Sequence, residues 1–95
     1  MLGKAKALME LKKIQSQLAK EVVEVEAGDG AVKVRISGEQ KIKSVTLDEA
    51  RVQEASTEQL ERWIESAVSQ AITKSQQIAA EKMRAMSGGL GIPGL

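Results

Sequence analysis

Residues 21–47 read EVVEVEAGDGAVKVRISGEQKIKSVTL, a run of short stretches in which apolar and polar side chains alternate and glycines separate the stretches. Alternation with a period of two residues is typical of β-strands that bury one face. The run therefore predicts a three-stranded antiparallel meander. Because a long helical pattern lies on either side of it, we expect an α+β fold with an N-terminal helix, the meander and a long C-terminal helix.

The Asp29-Gly30 pair predicts the register of the first hairpin. A two-residue type I′ loop needs positive φ at both positions, and Asp-Gly favours that conformation. In this register Val25 lies opposite Val34, so one face of the hairpin is apolar. The opposite face then carries two cross-strand charge pairs, Glu24 with Arg35 and Glu26 with Lys33.

The third strand is expected over residues 41–47, and it continues the apolar face through Val45 and Leu47. Ile42 falls on the opposite parity from these two residues. A β-bulge inserts one extra residue into a strand and so shifts its alternation. The pattern therefore predicts a bulge or an irregular start near Lys43.

The composition argues against an enzyme. The 95 residues fit one domain with a thin core, and they include no cysteine, no histidine and one aromatic residue, Trp63. Cysteine nucleophiles, imidazole bases and the common metal ligand spacings are therefore excluded, and the phosphate-binding and hydrolase motifs are absent. We expect no catalytic residues, no metal, no cofactor and no small-molecule substrate.

The sequence predicts neither a membrane-spanning segment nor a signal peptide. Its apolar stretches fall well short of the roughly 20 residues that span a bilayer. Residues 1–11 lack the apolar block of a signal peptide. We expect a soluble cytoplasmic protein without a membrane partner.

Residues 2–20 predict an amphipathic helix, with apolar side chains from Leu8 to Leu18 at three- and four-residue spacing. On its other side, Lys6, Lys13 and Lys20 recur every seven residues, which gives a straight row with steps of about 10 Å. An ordinary solvated helix face explains such a row. A row of cations that binds a polyanion is the alternative explanation.

A second helix is expected over residues 57–86, where Ser56 and Gln59 form a capping box at its start. A helix of this length spans roughly 45 Å, which exceeds the width of so small a domain, so its C-terminal part must project. An apolar stripe in that part includes Ile72, Ala79 and Met83. This stripe needs cover from the first helix or from a second subunit.

The glycines near the C-terminus are expected to end the second helix. Ser87, Gly88 and Gly89 follow it, and glycine just past the last turn is the preferred C-cap residue. We therefore expect a single domain over residues 1–87 and a flexible glycine-rich tail over residues 88–95.

Several short motifs follow one another along most of the chain. In order, they are a Gly-x-Gly hairpin, a Val-x-Val strand, an apolar residue followed by Asp, a Lys-Met pair, and C-terminal Gly-Gly and Pro-Gly pairs. The residues concerned are Gly28, Gly30, Val32, Val34, Gly38, Val45, Leu47, Asp48, Lys82, Met83, Gly88, Gly89, Pro93 and Gly94. This order resembles the YbaB/EbfC family of bacterial nucleoid-associated proteins. Glu49 departs from the family, in which proline often follows the aspartate.

The resemblance implies an intertwined or sheet-packed homodimer, in which the sheets associate at the centre and the helix ends project as two prongs. It also implies binding to double-stranded DNA with little sequence preference, and a location in the cytoplasm on the nucleoid.

Basic residues are concentrated at the two ends of the chain. Five lysines against Glu10 give residues 1–20 a net charge of +4, and three basic residues against Glu81 give residues 66–95 a net charge of +2. Lysine and arginine bind the phosphates of duplex DNA without reading its bases. The candidate DNA-binding residues are Lys6, Lys13, Lys20, Lys74, Lys82 and Arg84, with Lys4 and Lys12 as additional candidates.

A protein-binding role is the alternative. A net charge of +1 is low for a DNA-binding protein, and a methionine-bearing helical stripe suits a protein groove. In this interpretation the chain is a dimeric adaptor or chaperone-like clamp without direct DNA binding. A purely structural dimer inside a larger assembly is a third interpretation.

Overall fold

The fold was analysed in a computed structural model, which describes the backbone of residues 2–89 and the side chains of residues 5–85. It has the expected α+β architecture. The helices are α1 (Leu2–Lys20), α2 (Glu49–Glu54) and α3 (Thr57–Gly89), and the strands are β1 (Val22–Ala27), β2 (Val32–Ser37) and β3 (Ile42–Leu47). The predicted helix over residues 2–20 is confirmed, since α1 begins and ends at the same residues.

The strands form one antiparallel sheet in the order β1-β2-β3, so the meander is confirmed. Val25 pairs with Val34, as the predicted register requires. The turn between β1 and β2 has φ of 54° at Asp29 and 88° at Gly30. It is closed by a 3.1 Å hydrogen bond from the Ala31 N–H to the Gly28 carbonyl. Positive φ at both central residues makes this a type I′ turn.

A bulge lies where the alternation predicts one. Arg35 pairs with Ser44, whereas its neighbour Ile36 pairs with Ile42, so Lys43 is the additional residue. The bulge returns Ile42 to the same face of the sheet as Val45, which pairs with Val34. All three strands therefore have one apolar face and one polar face.

The core lies between that apolar face and the N-terminal part of α3. Ala67 and Ala71 of the helix and Val32 and Val34 of the sheet have no exposed surface. Helix α3 packs on β1 and β2 and leaves β3 almost uncovered. Ile64, in the same part of α3, is 39% exposed.

Two helix N-termini are capped by side chains. The Arg51 N–H donates to Asp48 Oδ1 at 3.0 Å at the start of α2. At the start of α3, the Gln59 N–H donates to Ser56 Oγ at 3.1 Å and the Ser56 N–H donates to Gln59 Oε1 at 3.2 Å. The predicted capping box is therefore confirmed.

The C-terminal end of α3 differs from the prediction. The helix continues through Ser87, Gly88 and Gly89 instead of ending before them. Glycine lowers helix stability but fits helical dihedral angles without strain, so the backbone hydrogen bonds continue. The remainder of the predicted flexible tail, residues 90–95, lies outside the described residues.

The described helices include none that is both long enough and apolar enough to cross a bilayer.

The approach of Trp63 to the first turn gives a test of the packing. Gly28 has φ +67°, and a Cβ there would overlap the Trp63 ring; Gly30 has φ +88°, but the atom nearest a Cβ is Lys33 Cε at 3.7 Å. We expect Gly30→Ala to lose about 1 kcal/mol of unfolding free energy from backbone strain alone. Gly28→Ala should lose roughly 3 kcal/mol, because overlap with the ring is added.

Urea unfolding at one fixed protein concentration measures both losses. The two variants share the unfavourable φ, so their difference isolates the contact with Trp63. Equal losses would show that the ring moves away at no cost.

Candidate nucleic-acid interface

Basic residues from both ends of the chain meet in one part of the fold. Helix α3 has 33 residues, or about 50 Å, and its C-terminal part extends beyond the sheet. Helix α1 lies beside this part, and the molecule measures 60 × 24 × 15 Å. We call α1 together with residues 78–89 of α3 the arm.

A close contact joins the arm to the sheet at Gly38, the first residue after β2. The Gly38 N–H donates to the carbonyls of Leu18 (3.0 Å) and Glu21 (2.9 Å). A Cβ at Gly38 would lie 2.8 Å from Ile78 Cγ2 and 2.9 Å from Leu18 Cδ2. Nearby, the buried Ser75 donates its hydroxyl to the Ser37 carbonyl at 2.7 Å. Both arm helices are thus held against the end of β2.

The row of Lys6, Lys13 and Lys20 lies exposed along α1. Lys6 and Lys13 line one shallow hollow on the helix together with Met9 and Glu10. Lys12 is also exposed but projects about 100° away from Lys13, since an α-helix has 3.6 residues per turn. The Lys4 side chain lies outside the described residues.

Lys82 of α3 comes next to this row across a cleft between the two helices. The cleft has a volume of about 270 Å³ and is lined by Glu10, Lys13, Ile14, Gln17, Lys82 and Ala85. Lys82 Nζ also forms a 2.8 Å ion pair with Glu21 Oε1 at the junction of α1 and β1. This partner lies far from Lys82 in the sequence.

The structure separates the other two candidates from the row. Arg84 is exposed on the arm but projects about 200° from Lys82 around α3. Lys74 precedes the arm and lines a shallow hollow with Ser69, Gln70, Thr73 and Gln77. The arm therefore brings together Lys6, Lys13, Lys20 and Lys82, with Lys12 and Arg84 on other sides of the same two helices.

Direct ion pairs are scarce among the described side chains. Within residues 5–85, only Lys82–Glu21 and Lys41–Glu39 (3.8 Å) lie within 4.0 Å. Glu24 and Glu26 do lie opposite Arg35 and Lys33 in the sheet. The expected cross-strand opposition of charges is thus confirmed, but it does not bring the charged atoms into contact.

Apolar residues form a second uncovered surface beside α3. On β3, Ile42, Val45 and Leu47 are 51%, 55% and 46% exposed. On α3, Ile64 and Ile72 are 39% and 43% exposed, and Val68 between them is half-buried. We call these six residues the apolar groove. Sequence parity placed Val45 and Leu47 on the apolar face but gave no sign that this part of the face lacks cover.

A further cavity lies far from the arm. It measures about 500 Å³ and is lined by Gly28, Asp29, Arg51, Glu54, Ala55, Gln59 and Trp63. None of the candidate DNA-binding residues borders it. In residues 2–89, no cluster of three acidic, histidine or cysteine side chains is arranged to hold a metal ion.

Comparisons with known proteins agree with the resemblance. The sequence model of the YbaB/EbfC DNA-binding family matches residues 1–90. A Syntrophobacter fumaroxidans protein named nucleoid-associated protein is 40% identical over 95 residues, which covers 99% of this chain and 86% of that protein. A Myxococcus xanthus protein of the same name is 40% identical over 81 residues, covering 85% and 77% of the two chains.

A solved structure supports the fold. The uncharacterised protein HP0035 from Helicobacter pylori superposes with a TM-score of 0.76 at 16% identity, covering 90% of this chain and 91% of that chain. At this level of identity the likeness concerns the fold alone.

The anchoring of the arm can be tested at Leu18, which is 9% exposed, against Leu8, which is 60% exposed. Leu18→Ala should cost about 2 kcal/mol of unfolding free energy because it removes a buried side chain at the contact with Gly38. Leu8→Ala should cost less than about 0.5 kcal/mol. Urea unfolding measures the stability, and the rate of tryptic cleavage after Lys13 and Lys20 reports opening of the arm.

Faster cleavage is expected only for Leu18→Ala. Equal cleavage rates and equal stabilities for the two variants would show that Leu18 does not anchor the arm.

Proposed function

This chain belongs to the YbaB/EbfC DNA-binding family, and we propose that it binds duplex DNA as a homodimer, through phosphate contacts from the basic residues of its arms. The residues that make these contacts are Lys6, Lys13, Lys20 and Lys82, with Lys12, Arg84 and Lys4 as further arm cations and Lys74 near the base of the arm. Its relatives are named nucleoid-associated proteins. This supports the same role here, on the nucleoid in the bacterial cytoplasm.

The observation that carries the proposal is the separation of charge between the arm and the rest of the chain. The arm together with residues 90–95 has seven basic and two acidic residues, which gives a net charge of +5. Residues 21–77 have seven basic and eleven acidic residues, which gives a net charge of −4. A polyanion is attracted to the arm and repelled by the sheet region. The low overall charge of +1 is therefore compatible with DNA binding.

The lysine row of α1 suits the DNA backbone. Lys6, Lys13 and Lys20 are exposed and form no ion pair among residues 5–85. Duplex DNA carries a negative charge about every 1.7 Å along its axis. Lysines spaced about 10 Å apart along a helix can therefore each lie close to a phosphate. Phosphate contacts carry no sequence information, and we expect little sequence preference.

Two arms in a homodimer double the number of cations that act on one duplex. The apolar groove supports association, because isolated chains expose apolar residues on both β3 and α3. Each protomer then contributes one arm.

A protein-binding adaptor is the second candidate. The observation in its favour is the apolar surface on the arm itself: Leu8, Met9 and Met83 are 60%, 71% and 46% exposed. Flexible methionine side chains are common on protein-binding surfaces. An adaptor would hold a partner protein between its arms and would not need the lysine row.

A charge-reversal pair tests the DNA proposal. Lys6→Glu with Lys13→Glu should weaken binding of a random-sequence 30-base-pair duplex by at least roughly tenfold at 50 mM salt. Because each lost phosphate contact lowers the salt slope by about 0.9, the dimer should lose about 3 to 4 units of slope between 50 and 200 mM salt. Fluorescence anisotropy measures both quantities.

The matched control is Lys33→Glu with Arg62→Glu, which changes the net charge equally but lies outside the arm. This control should bind within about threefold of the unmodified protein. Equal loss in both double variants would mean that only the net charge matters. Absence of binding by the unmodified protein at 50 mM salt would favour the adaptor.

A further inference from the structure

The middle of α3 carries no carboxylate. Residues 57–65 include Glu58, Glu61 and Glu65, whereas residues 66–80 include no acidic residue, and the next one is Glu81. The acidic character of residues 21–77 therefore comes entirely from outside this part of the helix. Exposed helix faces commonly carry glutamate together with lysine, because such pairs stabilise a helix at four-residue spacing. A helix face without glutamate does not repel an anion.

Uncharged hydrogen-bonding side chains and one lysine occupy this part of α3. Ser69, Gln70, Thr73, Lys74 and Gln77 are exposed and line one shallow hollow of about 280 Å³. We call these five residues the donor strip. Serine and threonine favour a helix less than glutamate or lysine does, so helix stability does not explain their presence. Packing does not explain it either, because all five side chains are exposed.

Two side chains of the donor strip have hydrogen-bond donors that the chain itself does not use. Gln70 Nε2 is engaged, since it donates to the Glu26 carbonyl at 3.2 Å and to Ser66 Oγ at 3.1 Å. Thr73 and Gln77 take part in none of the side-chain hydrogen bonds within residues 5–85. The Thr73 hydroxyl and the Gln77 amide are therefore available to a ligand.

Two cations accompany these donors. Lys74 takes part in neither of the ion pairs within residues 5–85. Thr73, Gln77 and Arg84 lie within about 40° of one another around α3, because residues seven and eleven apart nearly complete two and three turns. Arg84 is exposed, so it continues the line of the donor strip towards the end of the arm, about 17 Å beyond Thr73.

We propose that the donor strip binds the phosphodiester backbone of duplex DNA, as a second contact besides the lysine row of α1. The Thr73 hydroxyl and the Gln77 amide donate hydrogen bonds to phosphate oxygens, and Lys74 and Arg84 supply the charge beside them. Hydroxyl and amide side chains commonly make such contacts, which fix the register of a protein on the duplex without reading its sequence. The inference rests on the DNA binding proposed above and adds uncharged residues outside the arm to the contact surface.

The chemistry of the donor strip matches DNA more closely than it matches a protein partner. None of its five residues is apolar, whereas the buried centre of a protein interface is rich in aromatic and apolar side chains. Protein–DNA interfaces are more polar and more positively charged. The line of the strip also leads through Arg84 into the arm, where the proposed lysine contacts lie.

Uncharged donors give the donor strip a distinctive salt dependence. A lysine that binds a phosphate releases condensed counterions, so loss of the lysine lowers both the affinity and the salt slope. A hydroxyl or an amide releases no counterion. Loss of such a donor therefore lowers the affinity by the same factor at every salt concentration, and one titration distinguishes the two kinds of contact.

Thr73→Ala with Gln77→Ala removes the two unused donors. Both side chains are exposed and alanine favours a helix, so the fold is retained. We expect binding of the random-sequence 30-base-pair duplex to weaken at least roughly tenfold at both 50 and 200 mM salt, with a salt slope unchanged within about 0.5. Fluorescence anisotropy measures the binding. Circular dichroism and sedimentation velocity verify the fold and the oligomeric state.

The matched control is Thr46→Ala with Gln53→Ala, which makes the same two changes at exposed positions of β3 and α2. This control loses no phosphate contact and should bind within about twofold of the unmodified protein. Lys74→Gln tests the cation of the donor strip. It should lower the affinity and also lower the salt slope by about 2 units in a dimer, because each chain loses one charged contact.

Binding by the Thr73→Ala, Gln77→Ala protein within about twofold of the unmodified chain would overturn the donor strip and leave this face of α3 to a protein partner. Equal losses in this double variant and in its control would overturn it as well. Absence of duplex binding by the unmodified protein would reject the proposed function together with the strip. Loss of binding in Lys6→Glu with Lys13→Glu, but not in Thr73→Ala with Gln77→Ala, would reject the strip alone.

Discussion

Ala67 and Ala71 lie against β1 and β2 with no exposed surface, so the axis of α3 runs close to these two strands. Small side chains permit this approach, because a bulky residue at either position would lift the helix from the sheet. A helix about 10 Å wide covers roughly two strands spaced 4.8 Å apart. The third strand is left open for this reason. The same contact fixes the direction in which the long C-terminal part of α3 leaves the sheet.

The open strand and the projecting helix have different physical roles. The open strand presents apolar residues, and burial of apolar surface stabilises association without any need for charge. The projecting helix, with α1 beside it, presents cations at a distance from the acidic sheet region. We therefore propose separate surfaces of one small chain for self-association and for attraction of a polyanion.

The junction at Gly38 connects the two roles. Backbone hydrogen bonds to Leu18 of α1 and to Glu21 just after it, with the contacts to Leu18 and Ile78, hold the arm to the end of β2. The Lys82–Glu21 ion pair adds a link between α3 and the α1–β1 junction. Both groups of this pair are partly exposed, so its contribution to stability is below about 1 kcal/mol. Packing, more than charge, therefore sets the direction of the lysine row relative to the sheet.

Features that depend on neighbouring residues could be predicted from the sequence. The type I′ turn at Asp29-Gly30, the bulge at Lys43, the capping box at Ser56 and the full extent of α1 all follow from local backbone preferences or side-chain periodicity. Tertiary structure decided which strand α3 leaves uncovered, that Glu21 pairs with Lys82, and that Lys74 lies outside the arm. These features depend on distances between segments far apart in the chain, and periodicity within a segment carries no information about such distances.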